Sequence, residues 1–146
     1  MDLTKSYPRS VKQKVAGVVM IGRTTDKGKA KLQGTIGEYH YNCPMDQAVF
    51  GFLGIDEAAY LDVIKNAKSD ADIEAYVATF ASKKTAAEIE QWNEHFLAYA
   101  PAPGSDGEKY FLDLRSQVAP DRTDVTAWAD LLDLDEKREV PRKTAA

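Results

Sequence analysis

Two groups of residues have types and spacings that could do chemistry. The first lies in GEYHYNCPMD, Gly37 to Asp46, which holds His40, one of two histidines, and Cys43, the only cysteine, just ahead of Pro44 and Asp46. A thiol at a helix N-terminus beside an imidazole is where its pKa falls and the thiolate becomes nucleophilic. In an extended EYHYN segment the side chains alternate, so Tyr39 and Tyr41 point one way while His40 and Asn42 point the other, towards Cys43. Asp46 works against activation, because in the same first helical turn it takes the positive end of the dipole and raises the thiol's pKa again. Free cysteines are also among the most commonly buried residues, so capping and packing is the stronger reading of Cys43. A nucleophile or redox sensor built from Cys43 and His40 is the alternative.

The second group is Arg23, Asp26 and Lys27, which share one helical face at spacings of three and four, with Lys31 a further turn on. Such a stripe suits a phosphate or carboxylate, with Asp26 orienting the arginine. The plainer reading, an ion-pair network tying this segment to the rest of the chain, is favoured because paired charges are common. Both readings predict the same exposure for the three residues. With Tyr39, Tyr41, Asn42 and Asp46, these residues complete the candidate ligand-binding set.

Metal binding fails on count. His40 and His95 are 55 residues apart with no HExxH or paired-thiolate spacing, and DLLDLDE lacks the glycine and ligand order of a calcium loop. With no Gly-rich phosphate loop, nucleophile elbow or dinucleotide fingerprint, no cofactor is expected and the case for an enzyme is thin.

The elements that must position these residues read as mostly helical from Pro44 onward. Cys43 caps and Pro44 opens a helix over 44–53 that Gly54 ends. Asp56 caps a helix over 57–67, and Ser69 with Asp72 signals another over 70–81. Thr85 and Glu88 form a capping box for 86–100, which PAPGSDG breaks. Helices over 108–118 and, capped by Asp124, over 125–133 follow. The expected core is Phe52, Leu53, Ile64, Ile73, Val77, Phe80, Trp92, Phe96, Leu114, Trp128 and Leu131. VKQKVAGVVMIG fits a buried helix or a short strand, with the helix preferred. The tail over 135–146 is polar enough to fray or to lie across a neighbour.

With 146 residues, 44% hydrophobic and 29% charged, the chain fits one compact all-α domain, a helical bundle with an irregular N-terminal third. The net charge of -4 argues against nucleic acid. That total hides an asymmetry: residues 1–37 carry eight basic and two acidic side chains, net +6, leaving -10 for the rest. The basic segment is expected to pack on the acidic body over the GEYHYNCPMD corner. No signal peptide or membrane span is evident, and with a single thiol the expectation is a cytoplasmic protein.

Arg23-Thr24-Thr25-Asp26-Lys27, the run Gly34 to Asp46, Phe52 to Asp56 and RTDVTAWADLLDLDE from Arg122 together resemble the bacterial family of domain of unknown function 5069, along the whole chain. The resemblance supplies no activity. Three functions remain in order: a helical interaction or oligomerisation module, with a protein partner or self-association; a binder of small anions through Arg23 and Lys27; and a cysteine-dependent enzyme or redox sensor.

Overall fold

The computed structural model describes residues 1–143, so the last three residues of the expected tail lie outside the described residues. Among the described residues there are seven helices: α1 Ile21–Gln33, α2 Pro44–Leu53, α3 Glu57–Asn66, α4 Asp70–Ala81, α5 Ala86–Leu97, α6 Asp106–Val118 and α7 Trp128–Asp135. The only β-type pairing among them is an isolated bridge between Val15 and Val18. The fold is all-α, as the stripes and caps predict.

Local chemistry sets the helix ends. Cys43 is the extended capping residue of α2, Pro44 opens the helix, and Gly54 in the left-handed region closes it. Asp56 accepts the Ala59 N–H at 2.9 Å to start α3. Thr85 and Glu88 exchange bonds of 3.1 and 3.2 Å at the head of α5. Helix α6 begins two residues before the expected 108, because Ser105 accepts the Glu108 N–H at 3.1 Å. Helix α7 begins later than the expected 125. Asp124 does not cap it, since both its oxygens are held by Arg122 at 3.0 and 3.2 Å, with one also taking the Lys143 N–H.

Two local expectations are corrected. VKQKVAGVVM is neither helix nor strand but a loop, and only the final Ile21 and Gly22 of the stretch are helical, as the start of α1: Ala16 and Gly17 take positive φ, and Val11, Val15, Val18, Val19 and Met20 are all buried. The side chain of Asn93 on α5 supplies what the loop lacks in regular bonding, accepting the Val19 N–H at 3.1 Å and donating to the Gly17 carbonyl at 2.9 Å. EYHYN is not extended either. It is a run of turns with Asn42 at φ 67°, so the alternation that would bring His40 to Cys43 is broken.

The chain divides into two compact units, Met1–Asn93 and a second running from Glu94. In the first, α1 packs on α2 and α3, and α3 on α4. Gly28 permits a close approach of α1 to α3, since a Cβ there would lie 2.8 Å from Ile64 Cδ1. In the second unit, α6 packs on α7 around Phe111, Val125, Leu131 and Val140. The tail is thus anchored through Val140, while Arg138 folds back onto Asp133 and Glu136.

Of the expected core, Leu53, Ile64, Ile73, Val77, Phe96 and Leu131 are buried, whereas Phe52, Phe80, Trp92, Leu114 and Trp128 are only half-buried. Among the largest fully buried side chains are Tyr60 and Phe111, which were not in that set. Phe111→Ala should therefore cost ~3–5 kcal/mol. Trp92→Ala, at a ring stacked 4.7 Å from Phe52 but still partly solvated, should cost less, and urea midpoints of the two variants measure the order.

Candidate functional site

Helix α1 carries the most unusual chemistry. Every residue from Ile21 to Gly28 is buried, although the segment reads IGRTTDKG. Arg23, Asp26 and Lys27, the residues of the expected cationic stripe, are all buried within the first unit. A charge can stay inside only with a partner and satisfied hydrogen bonds. Each of the three meets that condition differently.

Arg9 holds Asp26 three times over: the carboxylate accepts the backbone N–H at 2.8 Å, Nε at 3.1 Å and Nη2 at 3.2 Å. Arg23 donates to the Arg9 carbonyl at 3.3 Å and lies 5.6 Å from the Tyr39 ring centroid. Lys27 reaches across to the start of α2, where its Nζ lies 2.7 Å from Asp46 Oδ2 and 3.3 Å from Cys43 Sγ. Asp46 is fully buried and also accepts the Thr24 hydroxyl at 2.6 Å and the Cys43 N–H at 3.1 Å. One carboxylate thus joins α1 to the capping box of α2.

Around this node sit aromatic side chains. Thr25 donates to the Ile21 carbonyl at 2.7 Å, which leaves its oxygen to accept from the Tyr60 phenol at 2.6 Å. Burial pushes the Tyr60 phenol up to about 12. Burial, and next the Glu57 charge, raise Tyr41 as well, and its hydroxyl donates to the Glu57 carbonyl at 2.8 Å. Tyr41, Phe50 and Tyr60 stack edge to face in sequence.

The candidate residues therefore separate. Lys27, Cys43 and Asp46 converge; Arg23 and Tyr39 form a second contact; Asp26 belongs to Arg9. Tyr41 is buried, Asn42 gives only its carbonyl to Gln47, and His40 is exposed. The polar side chain at the sulfur is the Lys27 ammonium, not the His40 imidazole. Among the described residues no group of three or more His, Cys, Asp or Glu is placed to hold a metal ion. Sequence reasoning missed Arg9, Thr24, Thr25 and Tyr60; the threonine pair between two charged positions was the available signal of a helix with no free face.

The second unit holds a different feature. Tyr99 and Tyr110 are 53% and 64% exposed. Tyr110 lies 6.0 Å from the Trp128 ring, and the Trp128 backbone N–H bonds the Tyr99 carbonyl at 3.0 Å. Trp128 itself rests edge-on against the buried Phe111 at 4.9 Å. Asp106 and Asp113, one turn before and after Tyr110 on α6, are exposed on the same face.

Two outcomes follow for the buried node. Lys27→Met should cost ~3–5 kcal/mol because it strands the Asp46 charge, and adding Asp46→Asn should recover part of it, since the amide keeps one acceptor oxygen and removes the charge. A double-mutant cycle in urea measures both. For Tyr60 the raised value favours the neutral phenol in the folded state. Its contribution is complete below the ordinary pH of 10.0 and disappears as pH rises towards about 12. Tyrosinate absorbance should show two rings, Tyr41 and Tyr60, titrating only with alkaline unfolding, and Tyr60→Phe should remove one of them.

Comparison with known proteins identifies the chain without giving it an activity. No curated protein matches it. The family model described as Domain of unknown function (DUF5069) matches residues 5–138, which contain every element above except the first four residues and the end of the tail, and the chain belongs to that family.

Proposed function

We propose that the chain works as one domain with an interaction role, and that its contact face is the Tyr99, Tyr110 and Trp128 cluster. The observation that carries this is the 64% exposure of Tyr110 over a tryptophan that the core holds in place. Aromatic side chains fixed from beneath and open above are the residues that dominate binding energy at interfaces. The cluster sits between Asp106 and Asp113, so the partner it suits is a protein segment bearing arginine or lysine, whose cations stack on the rings and meet the carboxylates.

A small-anion role for Arg23 and Lys27 is less well supported, because Lys27 already faces Asp46 and both side chains are buried. Among the described residues no helix is long and apolar enough to cross a membrane. A cytoplasmic location is proposed from the single free thiol.

The test is a fluorescence titration of a Trp92→Phe variant, which leaves Trp128 as the reporter, with an oligo-arginine peptide and an oligo-glutamate control. Saturable quenching by the basic peptide alone is expected, weakened about tenfold by Tyr110→Ser, a loss of ~1.4 kcal/mol. Equal binding by the Tyr110→Ser variant, or none by either protein, contradicts the proposal. Concentration-dependent dimerisation abolished by Tyr110→Ser would put a second copy of the chain in the partner's place and overturn the basic-segment assignment.

A further inference from the structure

The first unit contains a second piece of chemistry, independent of the aromatic face. Cys43 is partly exposed, while Lys27, whose ammonium contacts its sulfur at 3.3 Å, is 4% exposed. Solvent thus reaches residue Cys43 in part, while Lys27 is almost wholly shielded from it. The sulfur also faces the N-terminal turn of α2 through the capping box. The thiolate is the form of a cysteine that reacts with peroxides.

We propose that Cys43 and Lys27 form a peroxide-driven covalent modification site, ending in a sulfur–nitrogen crosslink between α1 and the head of α2. In the first step the Cys43 thiolate attacks hydrogen peroxide, an S–O bond forms, the O–O bond breaks, and the peroxide is reduced to water as sulfur is oxidised to the sulfenic acid. In the second step Lys27 Nζ attacks that sulfur, the S–N bond forms and the S–O bond breaks. Water leaves with one proton from the amine. The extra proton of the ammonium passes to Asp46 Oδ2, 2.7 Å from Nζ. No further oxidant enters, and a thiol reductant reverses the product to free amine and thiol.

The geometry favours this course over the usual ones. The chain has a single cysteine, so no internal disulfide can resolve the sulfenic acid. Backbone nitrogen is the common alternative trap, through the N–H of the following residue, but that residue is Pro44, which has none. The Lys27 side chain is the nucleophile already in contact, and its burial keeps it there. His40, the partner suggested by sequence, has no part in the step.

Peroxide treatment of the full chain, followed by intact mass and peptide mapping, tests the proposal. The expected product is about 2 Da lighter than the reduced protein. Its digest joins the Lys27 and Cys43 peptides, and a thiol reductant separates them. Lys27→Arg keeps the cation but removes the amine nucleophile, and should take up oxygen at Cys43 without crosslinking; Cys43→Ser should show neither change. Because the crosslink is mapped in the unaltered protein, a misfolded variant does not decide the result. Oxidation of the unaltered protein to sulfinic acid, about 32 Da heavier, with no joined peptide, would overturn the proposal. So would an intermolecular disulfide or an inert Cys43.

Discussion

A helix buried on all sides is normally apolar on all sides. Helix α1 breaks that rule with Arg23, Asp26 and Lys27 inside the first unit, and the elements around it answer the resulting constraint. The cost of removing an ion from water is several kcal/mol unless geometry and hydrogen bonding recover it. Asp26 can be buried because Arg9 gives it three donors, and Lys27 because Asp46 waits at the head of α2. Pairing of this kind adds little net stability, but leaving any member alone is expensive. Its effect is selective: alternative placements of α1 strand a charge.

The same constraint accounts for the N-terminal segment. Its basic residues do not form a free cationic arm, and the segment is not simply a lid drawn to a distant acidic body. Arg9 meets Asp26 of the same segment, Lys27 meets Asp46, and Lys29 meets Asp70. The loop before α1 is equally fixed, with Asn93 bonding two of its backbone groups. Gly22 and Gly28 then serve packing, since a Cβ at Gly22 would stand 3.2 Å from the Arg9 guanidinium carbon and one at Gly28 would press on Ile64.

The elements written in local chemistry were legible in the sequence. Helix α2 with its Cys43 cap, Pro44 and Gly54, and α5 with its Thr85 and Glu88 box, carry their own start signals, and the stripes of Ile73 with Val77 name a buried face. What was not legible depends on partners distant in sequence. Nothing in the spacing of Arg23, Asp26 and Lys27 tells whether water or Arg9 and Asp46 surrounds them, and charged residues are usually outside. The contact between Cys43 and Lys27 was hidden for the same reason, because a helix N-terminus advertises its neighbours in sequence, here His40, and not the side chain arriving from another helix. Asp124 was misread as a cap because Arg122, two residues away, uses the same oxygens.

The modification reading rests on α1 and α2 being locked together by the buried charges, which hold amine and thiol in contact. Native-state hydrogen exchange tests that lock most directly, by comparing amides of α1 with those of α4 in a series of low denaturant concentrations. The account predicts that Thr24 to Ala30 exchange only with global unfolding, their opening energies merging with the highest in the first unit. If these amides instead open in a low-energy local event while α4 stays protected, the buried charges are not what holds the structure, and the central claim is wrong.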